Sequence, residues 1–370
     1  MDAPTLSNPA RVFRALLRGG RQSRQSLATA LNLSVPTISQ CILTLESLGL
    51  AQEDGTLAAT GGRKARLLAA NPEARYALGL DVTQEHLTLA LVDLAGEVRA
   101  SRRVPLHFAR TEGYFEAAAE QAERFLAERS VPWARVLGVG ISMPGIISLD
   151  RQTMEYSHIL QIEQLSCECF ARFLPRPCQF LNDAKAAATA EFWERDEPER
   201  ALYLSLSNSV GGAIVQDGQI AAGAHHRAGE FGHMTLVPDG RQCYCGKYGC
   251  ADAYCSAKVL AAQTGGELEP FFALLREDAP QAVRAWQRYE YHLALLLGTL
   301  LAAFDCPVLL GGYIGTHMDE KMLDSLRQAV QECSTFELDA QSIRLCRRTA
   351  YPAATGAAML YIRPFLSELA

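Results

Sequence analysis

The sequence predicts an α/β fold that follows a small, mostly helical unit at the N-terminus. Three observations support this fold class. Apolar residues recur at helical spacing over the first fifty positions. Beyond Asn71-Pro72, apolar strand-like runs alternate with amphipathic helices. The chain has 370 residues, of which 49% are hydrophobic and 21% charged, so it is long enough for two or more globular domains.

Three helical segments precede the α/β part. Pro9–Arg18 has apolar residues at helical spacing and ends at a pair of glycines. Ser23 is a suitable N-cap for a short second helix, and Ser34 for a third, which has Pro36 in its first turn. Gly49 ends the third helix. Two short helices, a tight turn and a longer helix form a helix-turn-helix pattern.

A small wing follows the third helix in this prediction. Leu50–Gln52 and Thr56–Ala58 flank an acidic turn with Gly55, which is typical of a hairpin. The N-terminal unit, residues 1–70, is therefore predicted as an all-α winged helix-turn-helix domain. The third helix of this fold enters the DNA major groove with its first residues on the base edges. The candidate DNA contacts on it are Ser34, Pro36, Thr37, Ser39 and Gln40.

The segment after the predicted wing adds a basic element. Its glycines, including Gly62, let a backbone approach closely, and Arg63 and Lys64 suit a minor groove or phosphates. A flexible basic linker is the alternative. Residues 1–70 carry eight Lys or Arg against four Asp or Glu, a charge of +4, whereas the whole chain carries −6. This asymmetry favours a nucleic-acid-facing end over a locally basic surface.

Residues 71–370 are predicted to form α/β lobes around a cleft. The predicted strands and helices, in order, are Tyr76–Val82, Leu87–Val92, Glu97–Pro105, Glu112–Arg129, Val136–Ser142, a strand ending at Asp183, Ala184–Trp193, Ala201–Ser207, Gly212–Gln216, Gln281–Phe304, Val308–Leu310 and Thr355–Phe365. Ligands in such folds bind at the carboxyl ends of strands. Pro144-Gly145, Asn182-Asp183 and Gly311-Gly312 occupy such ends.

One imidazole and three thiols are clustered within eighteen residues. His233, Cys243, Cys245 and Cys250 are the ligand types of a closed, tetrahedral structural zinc site. A lone His would more often be a packed core residue, but three nearby thiols favour the metal role. Cys255 is a spare thiol in this interpretation, because four ligands suffice.

Cellular location is inferred from what the sequence lacks. The N-terminus has no basic-then-apolar run, so no signal peptide is predicted. The longest apolar stretch, around Leu293–Phe304, is too short to span a bilayer. Eleven cysteines in such a chain favour metal binding and free thiols over disulfides. We expect a cytoplasmic protein with no membrane partner.

Four motifs, in this order along the chain, resemble the ROK family, named for repressors, open reading frames and kinases. They are Gly138–Gly145, Asn182–Ala184, Gly229–His233 and the Cys243–Cys250 cluster, of which the last two are the most specific. The resemblance covers nearly the whole chain. It implies an actin-like, hexokinase-like fold of two lobes. The small lobe would comprise residues of about 75–183 plus the C-terminal helix, and the large lobe about 184–352 with the zinc site.

The resemblance also implies roles for single residues. His233, Cys243, Cys245 and Cys250 would hold one structural zinc ion. The implied sugar-binding residues are Gly145, Asn182, Asp183, Glu230, His233 and Asp252. Asp183 occupies the position of the general base in kinase members, although alone it would more often be a helix N-cap. Family members usually carry Glu where this chain has Asp252, one methylene shorter.

Two turns that lack the expected glycines favour a regulator over a kinase. Kinase members wrap the ATP phosphates with an Asp-x-Gly-Gly-Thr turn and a Gly-Thr-Gly-x-Gly-Gly turn. This chain has Asp81–His86 and Ser207–Gly212 instead, and only Gly311-Gly312 is retained near the nucleotide base. Bulky residues and the charge of Glu85 oppose phosphate binding. We therefore expect no catalytic residue and very weak ATP binding.

The sequence accordingly predicts a sugar-responsive transcription regulator, most simply a repressor. A monosaccharide or sugar phosphate would control affinity for a double-stranded, palindromic operator, bound by a homodimer or homotetramer. The alternative is an ATP-dependent sugar kinase fused to a DNA-binding domain. A structural zinc protein with a vestigial pocket is a third possibility.

Overall fold

The N-terminal part of this computed structural model contains three helices and a three-stranded sheet. The structure describes residues 7–56, 66–193, 200–347 and 350–369. The N-terminal elements are α1 (Asn8–Gly19), β1 (Gln22–Ser23), α2 (Arg24–Leu31), α3 (Val35–Ser47), β2 (Ala51–Thr56) and β3 (Arg66–Ala70). The predicted helices are confirmed. The Ser23 and Ser34 hydroxyls accept hydrogen bonds from backbone amides of the first turns of α2 and α3, as N-caps do.

The wing differs from its prediction. The partner of β2 is β3, in antiparallel pairing, and β1 joins the other edge of β3. Thr56 belongs to the outgoing strand, so its placement in the return strand was wrong, and Leu57 and Ala58 lie outside the described residues. Besides its three helices, this unit thus contains a small sheet. The predicted DNA contacts Gly62, Arg63 and Lys64 fall within the β2–β3 connection and lie outside the described residues.

The first lobe is built on a mixed five-stranded sheet. Its elements are β4 (Tyr76–Val82), β5 (His86–Asp93), β6 (Val98–Pro105), α4 (Glu112–Ala127), β7 (Val136–Met143), β8 (Ile146–Ile147), β9 (Thr153–Ser157), β10 (Ile162–Ser166), α5 (Glu168–Ala171), β11 (Cys178–Asn182) and α6 (Asp183–Glu191). The sheet order is β11-β7-β4-β5-β6, with β4, β5 and β6 antiparallel and β7 and β11 parallel to β4. The small sheet β10-β9-β8 was not predicted.

The second lobe repeats this topology. Its elements are β12 (Ala201–Leu206), β13 (Val210–Gln216), β14 (Gln219–Ile220), α7 (Asp252–Cys255), α8 (Ala257–Ala261), α9 (Leu268–Arg276), α10 (Pro280–Phe304), β15 (Val308–Gly311), α11 (Gly312–His317), α12 (Glu320–Cys333) and β16 (Ile343–Leu345). The C-terminal helix α13 (Pro352–Ser367) follows β16 in the chain and returns to the first lobe. The order β14-β13-β12-β15-β16 again combines an antiparallel hairpin meander with two parallel strands. In each sheet the first strand is central.

Two helices lie between the sheets and pack on each other. The C-terminal helix α13 contacts β4 and β7 of the first lobe, and α6 contacts β12 and β13 of the second. Glycines permit the close approach. A Cβ on Gly140 would lie 1.9 Å from the Ala357 carbonyl oxygen, and one on Gly356 would lie 1.7 Å from that of Ala186. Part of the Gly138–Gly145 motif therefore has a packing role.

The N-terminal helices share an apolar core with the first lobe. Phe13 and Leu16 of α1 belong to the same buried cluster as Ile362, Leu366 and Leu369 at the end of α13. The Ser7 hydroxyl donates a hydrogen bond to the Leu369 carbonyl. The winged helix is therefore joined to the C-terminal end of the chain by a shared apolar core and this hydrogen bond.

No single helix within the described ranges has the length and apolar character needed to cross a bilayer. One pair, α2 with α3, passes by length and composition together, and it is bent by 111° at its break.

Candidate functional site

His233, Cys243, Cys245 and Cys250 converge in the second lobe as the sequence predicted. Their four ligand atoms lie within 4.8 Å of one another. The Cys243 sulfur is 3.9 Å from His233 Nδ1, and the Cys245 and Cys250 sulfurs are 3.8 Å apart. A tetrahedral zinc with Zn–S bonds of about 2.3 Å requires sulfurs about 3.8 Å apart. The donor set therefore fits a metal ion of this kind.

A tight loop brings the three sulfurs together. The Gly246 amide donates to the Cys243 carbonyl at 2.9 Å, and the Cys243 amide to the Lys247 carbonyl at 2.8 Å. Gly249 has φ +81°, and a Cβ there would lie 2.0 Å from the Val237 carbonyl oxygen. A side chain at this position is therefore excluded by both backbone angle and space.

The His233 side chain presents different neighbours to its two nitrogens. Nδ1 faces the thiol cluster, and Nε2 lies 3.2 Å from the Tyr244 hydroxyl. Burial lowers the pKa of His233, and the charges of His158 and Lys247 lower it further. A lowered pKa keeps the imidazole neutral, which is the form that binds metals.

The N-terminus of α6 gathers the polar residues at the end of β11. The Asn182 side chain accepts from the Lys185 amide at 3.0 Å, as the N-cap, and donates to the Gly145 carbonyl at 3.1 Å. A Cβ on Gly145 would lie 2.5 Å from the Tyr156 carbonyl oxygen, in a backbone with φ +148°. The hydrogen bond between Asn182 and Gly145 thus fixes the N-terminus of α6, and with it the position of Asp183.

Asp183 and Glu230 form the acidic part of the site. Burial raises the pKa of both carboxyl groups. For Glu230, the Lys185 charge opposes this effect and the Asp183 charge adds to it. Asp183 Oδ1 accepts from the adjacent Ala184 amide at 2.9 Å. Each carboxylate can accept hydrogen bonds from hydroxyl groups of a ligand.

Lys185 is a site residue that the sequence analysis missed. Its side chain is buried, and Nζ donates to the His226 carbonyl at 2.8 Å, which anchors the loop that carries Glu230. Burial lowers the pKa of Lys185, and the Glu230 charge opposes that effect. One feature of the sequence could have identified Lys185: it is a basic residue in the first turn of a helix, two residues after the acid Asp183.

Asp252 contacts backbone within the second lobe. Its Oδ2 accepts from the Val210 amide at 2.7 Å, and the side chain is buried. Burial raises the pKa of Asp252 to about 6 against the opposing effect of that amide. Asp252 therefore joins the metal-ligand loop to the turn between β12 and β13.

Tyr244, between two of the metal-ligand cysteines, is a second residue that was missed. Its hydroxyl meets His233 Nε2, and its ring packs edge-on against the His233 imidazole with centroids 5.3 Å apart. The Tyr244 side chain as a whole is 44% exposed, but desolvation of its hydroxyl raises the pKa of Tyr244 above its usual range. The negative charges of Asp252, Cys243, Glu230 and Asp183 add to this effect. Tyr244 therefore holds the outer nitrogen of His233 beside the thiol cluster.

The two glycine-poor turns are closed by hydrogen bonds within the protein. In the first, Thr83 Oγ1 accepts from the His86 amide at 3.1 Å, and the Thr83 amide donates to the His86 carbonyl at 3.0 Å. In the second, the Ser207 amide donates to the Ser209 carbonyl at 3.2 Å, and Asp252 holds the Val210 amide. These amides are already engaged.

The candidate DNA contacts of α3 lie at an accessible helix N-terminus. Ser34, Pro36 and Gln40 are exposed, while Thr37 and Ser39 are half-buried. The basic residues nearby are paired with acids of the wing. Among the described residues, Arg21 pairs with Asp54 at 2.8 Å, and Arg24 and Arg66 lie 3.7 and 2.6 Å from Glu53. These pairs reduce the basic character expected from composition.

The sequence profile of the ROK family matches residues 77–363, most of the chain. The chain belongs to the ROK family. The xylose repressor of Bacillus subtilis strain 168 is 25% identical over 334 residues, covering 87% of this chain and 86% of the repressor.

Two further relatives match over a shorter segment. The DNA-binding transcriptional dual regulator NagC of Escherichia coli K12 is 26% identical over 249 residues. That match covers 66% of this chain and 61% of NagC, so it spans less than two thirds of that relative. An N-acetylmannosamine kinase of Escherichia coli SMS-3-5 is 29% identical, covering 64% of this chain and 83% of the kinase.

Solved structures share the fold. A ROK family transcriptional regulator described as a homologue of the Escherichia coli MLC protein superposes with a TM-score of 0.77 at 23% identity. That superposition covers 97% of both chains. A ROK hexokinase from Thermus thermophilus has a TM-score of 0.62 at 27% identity, covering 78% of this chain and 99% of the hexokinase. The predicted two-lobed α/β fold is confirmed.

Proposed function

We propose that this protein is a sugar-responsive DNA-binding transcription regulator, most simply a repressor of genes for carbohydrate uptake or metabolism. The observation that carries the proposal is the combination of two features in one chain. A winged helix shares its apolar core with the first lobe, and a cleft between the lobes is lined by the carboxylates of Asp81, Glu85 and Asp183. Similarity to repressors, over most of the chain in one case, supports it. Such a protein would act in the cytoplasm, where its operator is.

The metal is proposed to be zinc, with one ion per chain. His233 and the three cysteines supply one nitrogen and three sulfurs, a donor set that zinc prefers and that calcium and magnesium avoid. A bound ion would neutralise the thiolates and fix the 233–250 loop. Glu230 and Asp252 flank that loop, so the ion would orient the ligand-binding carboxylates without touching the ligand.

The sugar is proposed to bind at Asp183 and Glu230, with Gly145, Asn182, His233 and Asp252 completing the site. Carboxylates accept hydrogen bonds from neighbouring hydroxyls, and an amide can both donate and accept. Asn182 already uses one donor and one acceptor within the protein. We therefore assign it mainly to positioning Asp183, which is a sharper role than direct sugar binding.

ATP-dependent phosphorylation of the sugar is not part of the proposal. A phosphate cradle needs free backbone amides, and those of His86 and Val210 are bonded to side-chain oxygens. The Asp252 carboxylate on the Val210 amide also adds negative charge where a phosphate would approach. Asp183 would then be a ligand contact without a phosphoryl donor.

Coupling to DNA is proposed to pass through the two central helices. Asp183 begins α6, α6 packs on α13, and the end of α13 shares an apolar core with α1 of the winged helix. A sugar that favours a closed arrangement of the lobes would shift α6 against α13. In a homodimer or homotetramer that shift would change the spacing of two α3 helices on a palindromic operator.

The test begins with DNA selected from a random duplex library by the full-length, zinc-loaded protein. The selected duplex is then titrated at fixed salt with and without xylose, glucose, N-acetylglucosamine and their phosphates. We expect at least one sugar to weaken DNA binding by about tenfold or more, which is about 1.4 kcal/mol of coupling. Specific DNA binding that no sugar alters would contradict the regulatory proposal.

A sugar kinase remains the second candidate, because Asp183 is retained and a kinase is among the relatives. A coupled assay for sugar-dependent ATP turnover distinguishes the two. We expect no turnover in the wild type. Turnover that disappears in Asp183→Asn, with folding intact, would favour the kinase.

A further inference from the structure

A cavity of about 700 Å³ lies between the lobes, and of the predicted sugar contacts only Asp183 lines it. Asp183 and Pro144 line part of its wall, and the turn at Thr83 and the residues after β15 line the rest. Typical small-molecule pockets measure about 300–1,000 Å³ for ligands of drug size. A single monosaccharide is smaller than such ligands, so the cavity has room for a second unit.

The extra room is lined by groups that suit a neutral, hydroxyl-rich ligand. Uncharged hydrogen-bonding side chains come from both lobes, and they include Thr83, Gln84, Ser205, Ser207, Asn208 and Thr316. Such side chains both donate and accept hydrogen bonds. Hydroxyl groups of a saccharide need both functions, whereas a phosphate needs donors only.

Two tyrosines give this part of the cavity an aromatic surface. Tyr313 and Tyr351 both line it, and they are 38% and 39% exposed. Tyr351 has φ +49°, a left-handed conformation that is uncommon for a bulky residue. Strained backbone of this kind concentrates at ligand sites. Exposed aromatic faces are suited to the C–H surfaces of a sugar ring.

The charges of the cavity do not favour a polyphosphate. Its cations, Arg103 and Lys258, do not outnumber the acids Asp81, Glu85 and Asp183. Arg103 is directed to His86 Nδ1 at 3.2 Å. The cavity therefore lacks the positive excess that a nucleoside triphosphate requires.

The retained glycine pair has a packing explanation. A Cβ on Gly311 would lie 2.3 Å from the Tyr203 hydroxyl, and one on Gly312 would lie 2.6 Å from Ser207 Oγ. These glycines let the β15–α11 junction approach β12. The presence of Gly311 and Gly312 therefore does not indicate a nucleotide-binding site.

From the cavity, its lining and its charge we infer that the ligand is a neutral disaccharide or glycoside. Its first ring contacts Asp183, and its second unit lies against Tyr313 and Tyr351, in the half of the cleft that kinase relatives give to the nucleotide. This inference rests on the proposed function, since it names the ligand class of the same cleft. It replaces a monosaccharide or sugar phosphate as the preferred ligand.

Matched pairs of sugars test the inference by calorimetry on the full-length, zinc-loaded protein. The pairs are xylose with xylobiose, N-acetylglucosamine with diacetylchitobiose, and glucose with cellobiose and with maltose. In at least one pair the disaccharide should bind about tenfold or more tightly than its monosaccharide, a difference of about 1.4 kcal/mol. The 6-phosphates of glucose and N-acetylglucosamine and a non-hydrolysable ATP analogue complete the panel.

Three variants locate the second unit. Tyr313→Ala, and Tyr351→Asn, which tolerates the left-handed backbone, should each weaken the preferred disaccharide about tenfold and leave its monosaccharide unchanged. Tyr291→Ala is the control, because Tyr291 is 56% exposed on α10 and does not line the cavity. Melting temperatures verify folding, and the wild-type pairs remain decisive if a variant fails to fold.

The failures are distinguishable. Monosaccharides that bind and alter DNA affinity as strongly as the disaccharides overturn the inference and leave the regulator intact. Tighter binding of a 6-phosphate or of the ATP analogue also overturns the inference, because the second half would then hold phosphate. An absence of binding across the panel overturns the inference and the sugar-responsive function together.

Discussion

The first hairpin of the first lobe and the first hairpin of the second occupy equivalent places in two sheets of the same topology. The β4–β5 turn is closed locally, by the Thr83 side chain on the His86 amide and carbonyl. The β12–β13 turn is closed from a distance, by Asp252 on the Val210 amide. The two equivalent turns are thus closed by different hydrogen bonds. Only the β12–β13 turn depends on a residue that follows the metal-ligand loop.

Among the variants that test this difference between the two turns, Cys245→Ser is expected to lose the most stability. Loss of a thiolate should abolish stoichiometric zinc and lower the free energy of unfolding. The expected loss is at least about 4 kcal/mol, the stabilisation that a ligand gives at about 1,000 times its Kd. Zinc analysis and urea unfolding measure it. Cys333→Ser, at an exposed thiol, is the control.

Hydrogen exchange in the Cys245→Ser variant addresses the two turns separately. Exchange of the Val210 amide should accelerate, because Asp252 directly follows the metal-ligand loop. Exchange of the Thr83 amide should be unchanged. Equal acceleration of both amides would mean that the two turns are not held independently.

Asp252→Ala is expected to have the next largest effect. It removes the acceptor of a buried amide, which costs about 1–3 kcal/mol of stability. Urea unfolding measures the loss, and Glu116→Ala, at an exposed helix position, serves as control. A loss no larger than that of the control would show that the second turn does not need Asp252.

Asp81→Asn is expected to change the pH dependence contributed by the first lobe. Burial, followed by the Asp183 charge, raises the pKa of Asp81 from its ordinary 3.8 to about 7, and Ser142 donates to it at 2.9 Å. The folded state therefore favours the protonated acid. Stability from this group is present below about pH 4 and is lost as the pH rises through about 7.

Asparagine cannot ionise, so Asp81→Asn should melt higher than wild type at pH 8, by on the order of 2–4 °C. The difference should vanish near pH 4. Asp150→Asn is the control of opposite sign, because hydrogen bonds, first that of Ser148, lower the pKa of Asp150. A constant difference across the pH range would refute this assignment.

The smallest effect is expected from Thr83→Val in the first turn. The variant keeps the shape and loses the hydroxyl, which should cost about 0.5–1.5 kcal/mol. Urea unfolding beside Asp252→Ala gives the direct comparison. A loss as large as that of Asp252→Ala would remove the distinction between the two turns.

Local patterns in the sequence were sufficient for the helices and for the metal-ligand cluster. Ser23 and Ser34 cap helices through bonds within one turn, and the three cysteines lie within eight residues of one another. The wing was predicted, but its return strand was misplaced, because the partner of β2 begins at Arg66, ten residues after β2 ends. Pairing across such a gap leaves no periodic signal.

In the ligand site, too, local sequence patterns identified some residues, whereas those that depend on tertiary contacts were missed. Asn182 and Asp183 follow a buried strand and were identifiable from that position, and their sugar-contacting roles stay predictions. Lys185 and Tyr244 were missed because their relevance depends on tertiary contacts with His226 and His233. The role of a tyrosine between two metal-ligand cysteines cannot be predicted from the sequence, because it depends on the fold placing that tyrosine against His233.

The apolar core that α1 shares with the end of α13 limits how these two parts can be exchanged. A chimaera that takes its winged helix from another regulator must also supply side chains that fit Ile362, Leu366 and Leu369. Without them, the graft would expose apolar surface on both pieces. For an engineer who wants to redirect this protein to a new operator, recoding the exposed face of α3 is therefore safer than exchanging the whole N-terminal unit.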